Sequence, residues 1–222
     1  MDCNLLQACH CWFGGGTAII MALGEYRLSK DIDFLCADID GYREIRGRVV
    51  RDGAAALFDA TIKTERDFRG DQYGIRGIVS VRDIPLRFEI VREARVRLTG
   101  DINHTLGVPQ LALTSQIAEK LLANADRCQD RSSGFRDAID LGMLALHHGA
   151  FPDAALAQAV QAYGPDIGHK LQWAVDRLAI AAEREAVAQA IAMEPADVQA
   201  ASIAFAAEYK RLLAAGVLPY PR

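Results

Sequence analysis

Two hydrophobic periods divide the chain. Up to about Pro109, short apolar runs alternate with charged positions. The segments 57–66, 73–81 and 84–91 each lie between Gly or Asp boundaries, which is the pattern of strands. Beyond Pro109, alanine and leucine dominate and apolar residues recur with a helical period, predicting helices over 113–125, 135–148, 153–162, 169–191 and 196–215. The punctuation agrees: Thr114 or Ser115 can cap the first of these helices, while Pro152-Asp153 and Pro195 open others. Gly149, Gly164 and Gly216 stand where helices should stop. The first part, 1–108, reads as mixed α and β and the second, 109–222, as a helical domain.

A chain of 222 residues accommodates one large domain or two small ones. With 51% hydrophobic and 24% charged residues it can bury a core, which excludes disorder as the main theme. The formal net charge of −4 gives no overall positive field for duplex DNA, so any nucleic-acid contact must be local. Its apolar runs fall far short of the roughly 20 residues that span a bilayer. The start, Met1-Asp2-Cys3-Asn4, lacks the basic segment and apolar run of a secretory signal. Five cysteines, odd in number and mostly crowded near the start, suit reduced thiols and point to the cytoplasm.

Candidate chemistry begins where Cys11-Trp12-Phe13, a predicted strand, meets Gly14-Gly15-Gly16-Thr17 and the apolar helix-like run Ala18 to Leu23. Glycines at such a turn let backbone N–H groups approach a ligand, and the following helix N-terminus favours phosphate. The same pattern also suits a plain tight turn between packed elements. Next, Asp31 and Asp33 start an apolar strand. Residues i and i+2 of a strand share a face, so both carboxylates project together. Two like charges held that close call for a cation, and oxygen-only ligands favour Mg²⁺ or Mn²⁺. Alternatively, Asp31 caps a turn and Asp33 pairs with Arg27 or Lys30. In the strand Ile84 to Val91, Glu89 shares a face with Arg87, away from Leu86, Phe88 and Ile90. It can join Asp31 and Asp33 if the strands pair, or form a surface ion pair with Arg87 or Arg92.

Gly15-Gly16-Thr17-Ala18, then Arg27-x-Ser29-x-Asp31-x-Asp33, then Phe88-Glu89 on a later strand resemble the DNA polymerase β type nucleotidyltransferase superfamily. Within it the chain most resembles the AbiEii/AbiGii toxin family of type IV toxin–antitoxin systems. Its helical part resembles that family at Glu119-Lys120-Leu121-Leu122-Ala123 with Asp126-Arg127, and at Arg136-Asp137-x-x-Asp140-Leu141. The resemblance implies an α+β fold: a nucleotidyltransferase-like mixed sheet with flanking helices, followed by an all-α domain closing the nucleotide cleft. It implies metal-dependent transfer of a nucleoside monophosphate from an NTP to a hydroxyl of RNA, tRNA-like, or of protein. A cognate antitoxin from a neighbouring gene, a part in phage defence and no membrane partner go with it. Carried over by residue, Asp31, Asp33 and Glu89 would hold Mg²⁺ or Mn²⁺, with Glu89 as ligand or general base. Gly15, Gly16 and Thr17 would cradle the triphosphate, and Arg27 and Ser29 would hold phosphate oxygens. Lys120 would reach the triphosphate or base, and Arg136, Asp137 and Asp140 would form a second wall. Local sequence alone also allows Lys120 as a solvated charge, Arg136 with Asp140 as an i, i+4 pair, and Asp137 as a helix-dipole residue. A silent nucleotide-binding or protein-interaction module of the same fold is the competing expectation. The family's members carry a longer lead-in before the glycine turn, and the third carboxylate here is Glu where many nucleotidyltransferases use Asp.

Other residues attract attention without joining this set. Cys9-His10-Cys11 is half a zinc site with no second pair nearby, and closed structural zinc needs four ligands. His147 and His148 are placed to cap the last carbonyls of their helix. Arg43, Arg46, Arg48 and Arg51 on one predicted helix, with Arg92, Arg95 and Arg97 further on, form either a solvated face diluted by Glu44, Asp52 and Glu93 or an RNA-facing surface.

Overall fold

The computed structural model describes residues 1–58, 62–130 and 135–218. The chain divides into two compact units: Met1–Ala18 with Lys30–Ser115, and Ile19–Ser29 with Gln116–Arg222.

The first unit is built on a mixed sheet. Its strands are β1 (Cys11–Gly14), β2 (Asp31–Cys36), β3 (Lys63–Gly70), β4 (Gly74–Val81), β5 (Ile84–Arg92), β6 (Gly100–Asn103) and β7 (Val108–Leu111). Their spatial order is β3-β4-β5-β2-β1-β7-β6, with β2–β5 and β1–β7 parallel and the other pairs antiparallel. Strand alternation sorts the side chains. Phe13 and its register partner Phe34 share one face with Phe88, which stands diagonally across β5 from Phe34, and the successive ring centroids are 5.5 and 5.6 Å apart. Helices α1 (Cys3–Ala8) and α3 (Ile39–Asp52) add Leu5, Leu6, Tyr42, Ile45 and Val49 to that core. The opposite face carries Asp31, Asp33 and Glu89, while Trp12, Leu35 and Leu111 form a smaller apolar cluster there.

The second unit is helical. It draws on the end of α2 (Gly15–Ala22) and most of α4 (Leu113–Arg127), followed by α5 (Arg136–His148) and α6 (Asp153–Tyr163). Helices α7 (Asp166–Leu178), α8 (Ala181–Ile191) and α9 (Pro195–Ala214) complete it. Helix α5 lies unusually close to α9: a Cβ built at Gly142 would stand 2.1 Å from the Ala201 carbonyl oxygen, so only glycine permits this crossing. Among the described residues no helix is long and apolar enough to cross a membrane.

Several boundaries differ from the sequence reading. The run 57–66 enters the sheet only from Lys63, and its residues 59–61 lie outside the described residues. The predicted helix 169–191 is two helices, because Ile180 is extended (φ −83°, ψ 123°) and starts α8. Pro109 falls inside β7, opposite Ile102, rather than at the end of the sheet. Ser115 lies within α4, and its hydroxyl accepts the Thr99 N–H at 2.9 Å. Helix α5, by contrast, stops at Gly149 as the sequence placed it, with the Gly149 N–H bonding the Ala145 carbonyl.

Candidate active site

In the first unit, β1 ends at Gly14, the register partner of Asp33, and the chain turns directly into α2. Gly15 has φ +67°, a left-handed conformation that L side chains rarely adopt. A Cβ there would also stand 2.5 Å from Asp33 Oδ2, so the missing side chain lets the aspartate lie against the turn. Thr17 donates its hydroxyl to the Asp31 carbonyl, tying the first turn of α2 to the start of β2. The glycines thus have a geometric partner in the carboxylate strand. Gly15→Ala meets both the strained φ and this contact. It is expected to lower the thermal midpoint by several degrees and to displace Asp33. Unchanged stability with intact function would remove Gly15 from the site.

Parallel pairing of β2 with β5 sets Asp33 beside Glu89 and Asp31 beside Arg87. Adjacent strands lie about 4.8 Å apart, so the three acidic positions occupy one patch of one face. Two arginines stand among them: Arg87, which the sequence set on this face, and Arg76, which it did not single out. Arg76, the β4 register partner of Glu89, places Nε 2.6 Å from Glu89 Oε1, and Arg87 Nε lies 3.7 Å from Asp31 Oδ1. The sequence offered Arg87 or Arg92 for Glu89, but the antiparallel register selects Arg76. Arg27, offered as a partner for Asp33, is engaged with Asp140. Among the described residues no three carboxylate, thiol or imidazole groups form a ready-made ion cage. Magnesium seldom requires one, being held by one or two carboxylates together with substrate phosphates and water. Asp31 and Asp33, oxygen donors on one face beside a glycine turn, fit that chemistry.

In the second unit, four of the residues singled out by the sequence form one buried ionic network. Asp140 is fully buried. It accepts Arg27 Nε at 2.8 Å and Nη2 at 2.7 Å, Tyr26 Oη at 2.7 Å, and the Lys120 ammonium at 2.7 Å. Lys120 also donates to Asp137 Oδ1 at 2.9 Å, and Arg127 grips Asp137 with Nε at 2.6 Å and Nη2 at 2.9 Å. Lys120 is therefore not a solvated helix charge, nor is Asp137 a mere dipole residue. Arg136, half-buried at the start of α5, is not the partner of Asp140. Gly16 lies in the first turn of α2, and Ser29 precedes β2 by two positions. Tyr26 and Arg127 belong to this network and were not foreseen as site residues, although Asp126-Arg127 lies in a quoted motif.

The network fixes its own protonation. Burial alone would raise the Asp137 and Asp140 carboxyls, but Lys120 with Arg127, and Lys120 with Arg27, hold both below the ordinary carboxylate value. Burial would likewise lower the Lys120 ammonium, but Asp137 and Asp140 hold it above the lysine value. The depressed carboxylates add stability that is present above their ordinary pKa of 3.8 and is lost as pH falls further. The raised lysine adds stability that is present below 10.5 and is lost as pH climbs past it. The helical unit should therefore hold a level urea midpoint between about pH 5 and 9 and weaken on either side. Trp173, stacked on Phe135 at 5.4 Å, reports that unit by fluorescence in a Trp12→Phe background. A midpoint that falls steadily across pH 5 to 7 would contradict this charge arrangement.

Comparison with known proteins bears on the fold and the family. A search of curated protein sequences finds no significant match. The fold is shared with the crystal structure of JHP933 from Helicobacter pylori at 16% identity and a TM-score of 0.54, over 96% of this chain and 90% of that one. A second structure, that of a protein described as a putative nucleotidyltransferase from Helicobacter pylori, aligns at 18% identity and a TM-score of 0.52, over 95% and 89% of the two chains. The profile described as nucleotidyl transferase AbiEii toxin, type IV TA system, matches residues 3–215. With the glycine turn set against Asp33 and nearly the whole length matched, this chain belongs to the AbiEii nucleotidyl transferase toxin family.

Proposed function

We propose that the protein transfers a nucleoside monophosphate from an NTP to a hydroxyl of RNA, tRNA-like, or of protein, as the toxin of a type IV toxin–antitoxin pair. The observation that carries this reading is the Asp33 carboxylate lying against the left-handed turn at Gly15, with Asp31 on the same strand face. Backbone N–H groups of Gly15, Gly16 and Thr17 at the start of α2 are suited to phosphate oxygens, and the helix dipole favours their charge. Asp31 and Asp33 would hold Mg²⁺ or Mn²⁺, which would neutralise phosphate charge and orient the α-phosphorus for in-line attack. The acceptor oxygen bonds to that phosphorus as the bond to pyrophosphate breaks. Glu89, beside Asp33, completes the ligand set or takes the acceptor's proton, and Arg76 holds the carboxylate that does so.

Arg27, Ser29, Lys120, Arg136, Asp137 and Asp140 are assigned to nucleotide binding in this reading. Because Arg27, Lys120, Asp137 and Asp140 hold one another, their part is a fixed, preorganised arrangement, while Ser29 and Arg136 are suited to direct contact. A cognate antitoxin encoded nearby, action in the cytoplasm and a part in phage defence belong to the same proposal.

The test incubates the protein with each α-labelled NTP, Mg²⁺ or Mn²⁺ and total tRNA, beside the Asp31→Ala and Asp33→Ala proteins. Label moving to RNA or protein only with both aspartates present supports transfer and names the base. Metal-dependent NTP binding without transfer to any acceptor favours a silent module, and absence of NTP binding overturns the proposal.

A further inference from the structure

Away from the carboxylate face, the first unit contains a cavity of about 190 Å³ lined by Ile39, Tyr42, Arg43, Arg46, Gln72 and Arg92. It lies at the opposite end of the parallel pair from Asp31, because Arg92 is the register partner of Cys36, the last residue of β2. Arg92 stands three positions beyond Glu89, roughly 10 Å along the strand, and alternation puts it on the other face of the sheet. The site therefore does not overlap the proposed metal site.

Among the described residues, three arginines and no carboxylate line this cavity. Asp71, on the β3–β4 turn, is held below the ordinary carboxylate value chiefly by the N–H groups of Tyr73 and Gly74, with Arg76 and Arg46 adding to this through space. Its Oδ1 accepts the N–H groups of Tyr73 and Gly74 at 2.7 and 2.9 Å, and its Oδ2 lies 3.6 Å from Arg76. Asp40 pairs with Arg43 at 3.1 Å, but both side chains are well exposed, so that pair separates at little cost. Arg46 and Arg92 are half-buried, and among the described residues neither is ion-paired with a carboxylate. Arg92 Nη1 reaches only the Gln72 carbonyl, at 3.3 Å. The Arg46 stem is packed at Gly70, where a built Cβ would stand 3.0 Å from Arg46 Cγ. Tyr42, almost wholly buried, donates its hydroxyl to the Asp71 carbonyl at 2.8 Å and forms a fixed floor. The first turn of α3, which includes Ile39 and Tyr42, adds the positive end of a helix dipole.

A half-enclosed cavity with two positioned guanidinium groups that no carboxylate holds in an ion pair, and a third held only by a surface pair, is suited to a phosphoryl group, which guanidinium binds through paired charge-assisted hydrogen bonds. We propose that Arg46 and Arg92, assisted by Arg43, form a second phosphate-binding site, remote from Asp31 and Asp33, that takes a phosphate monoester or phosphodiester. It stands on residues the transfer reaction does not use, so it survives or fails independently of that reaction.

Calorimetric titrations with inorganic phosphate, with pyrophosphate and with a 5′-hydroxyl oligoribonucleotide, which contains only diesters, separate the sources of the phosphoryl group. Each is repeated on Arg46→Gln, Arg92→Gln and the double variant, all checked for an unchanged thermal midpoint. Arg51→Gln, an exposed arginine on the same helix paired with Asp52, is the control for general surface charge. Each single substitution should weaken at least one of the three ligands by roughly ten- to hundredfold, as expected for losing a charge-assisted bond. The control should change binding less than about twofold, and Asp33→Asn should leave this binding intact. Equal affinity of the double variant and the parent for all three ligands overturns the site. So does an equal loss in Arg51→Gln, or the absence of binding by any of the three to the parent protein.

Discussion

Replacing Asp140 with alanine is expected to destabilise the helical unit by about 3–5 kcal/mol, the usual cost of removing one partner from a buried ion pair. The side chain is fully buried and receives Tyr26, both arms of Arg27 and Lys120. Its removal leaves a guanidinium and an ammonium in a site with only Asp137 to answer them. The thermal midpoint should fall by on the order of 10 °C. Urea unfolding followed through Trp173 measures it. Asp140→Ala combined with Arg27→Met should recover a large part of the loss, because the double change removes a stranded charge along with its partner. A double variant no more stable than Asp140→Ala alone would show that Asp140 acts through packing and not through its charge.

Asp33→Asn is expected to have the largest effect on activity while leaving the fold in place. Asparagine retains the shape that lies against Gly15 and removes only the charge. A metal ion supplies several kcal/mol of transition-state stabilisation, and about 1.4 kcal/mol corresponds to tenfold in rate. Transfer should therefore fall by about a thousandfold or more, with a midpoint within a few degrees of the parent. Raising Mn²⁺ should restore part of the rate if the lost group is a ligand. Full activity in Asp33→Asn would end the assignment of Asp33 to the metal, whatever the stability result.

The strand that carries Asp31 and Asp33 was readable because an alternating pattern states both the element and the face, and the structure places it where that pattern put it. The glycine turn was readable as a turn. Its contact with Asp33 was not, because that requires the β1–β2 register. Short β6 and β7 escaped notice because four-residue strands carry too little alternation, and α1 because two buried leucines do not make a period. The helix drawn through 169–191 was broken by an extended Ile180, a residue with no Gly or Pro to advertise it. The family motifs singled out Lys120, Asp137 and Asp140 together, but local sequence presents them as ordinary helix charges. Arg27 and Tyr26 lie 113 and 114 positions from Asp140, and separations of that size leave no local trace. Only the folded helical unit shows that these charges answer one another.

The order in which the chain is synthesised gives the segment Ile19–Ser29 a further significance. It belongs to the helical unit, yet it is made before almost all of the sheet unit that follows it. Arg27 leaves the ribosome 113 residues ahead of Asp140, an interval of roughly 6 to 23 s at bacterial or eukaryotic elongation speeds. During that interval the guanidinium has no buried carboxylate to receive it and must stay in water. The sheet can assemble in the meantime, since all its strands lie before residue 112. The helical unit closes around Arg27 last. A nascent chain that has emerged no further than α4 would thus carry the Arg27 guanidinium without its carboxylate, and Ile19–Ser29 without the helices α5 to α9 of its own unit.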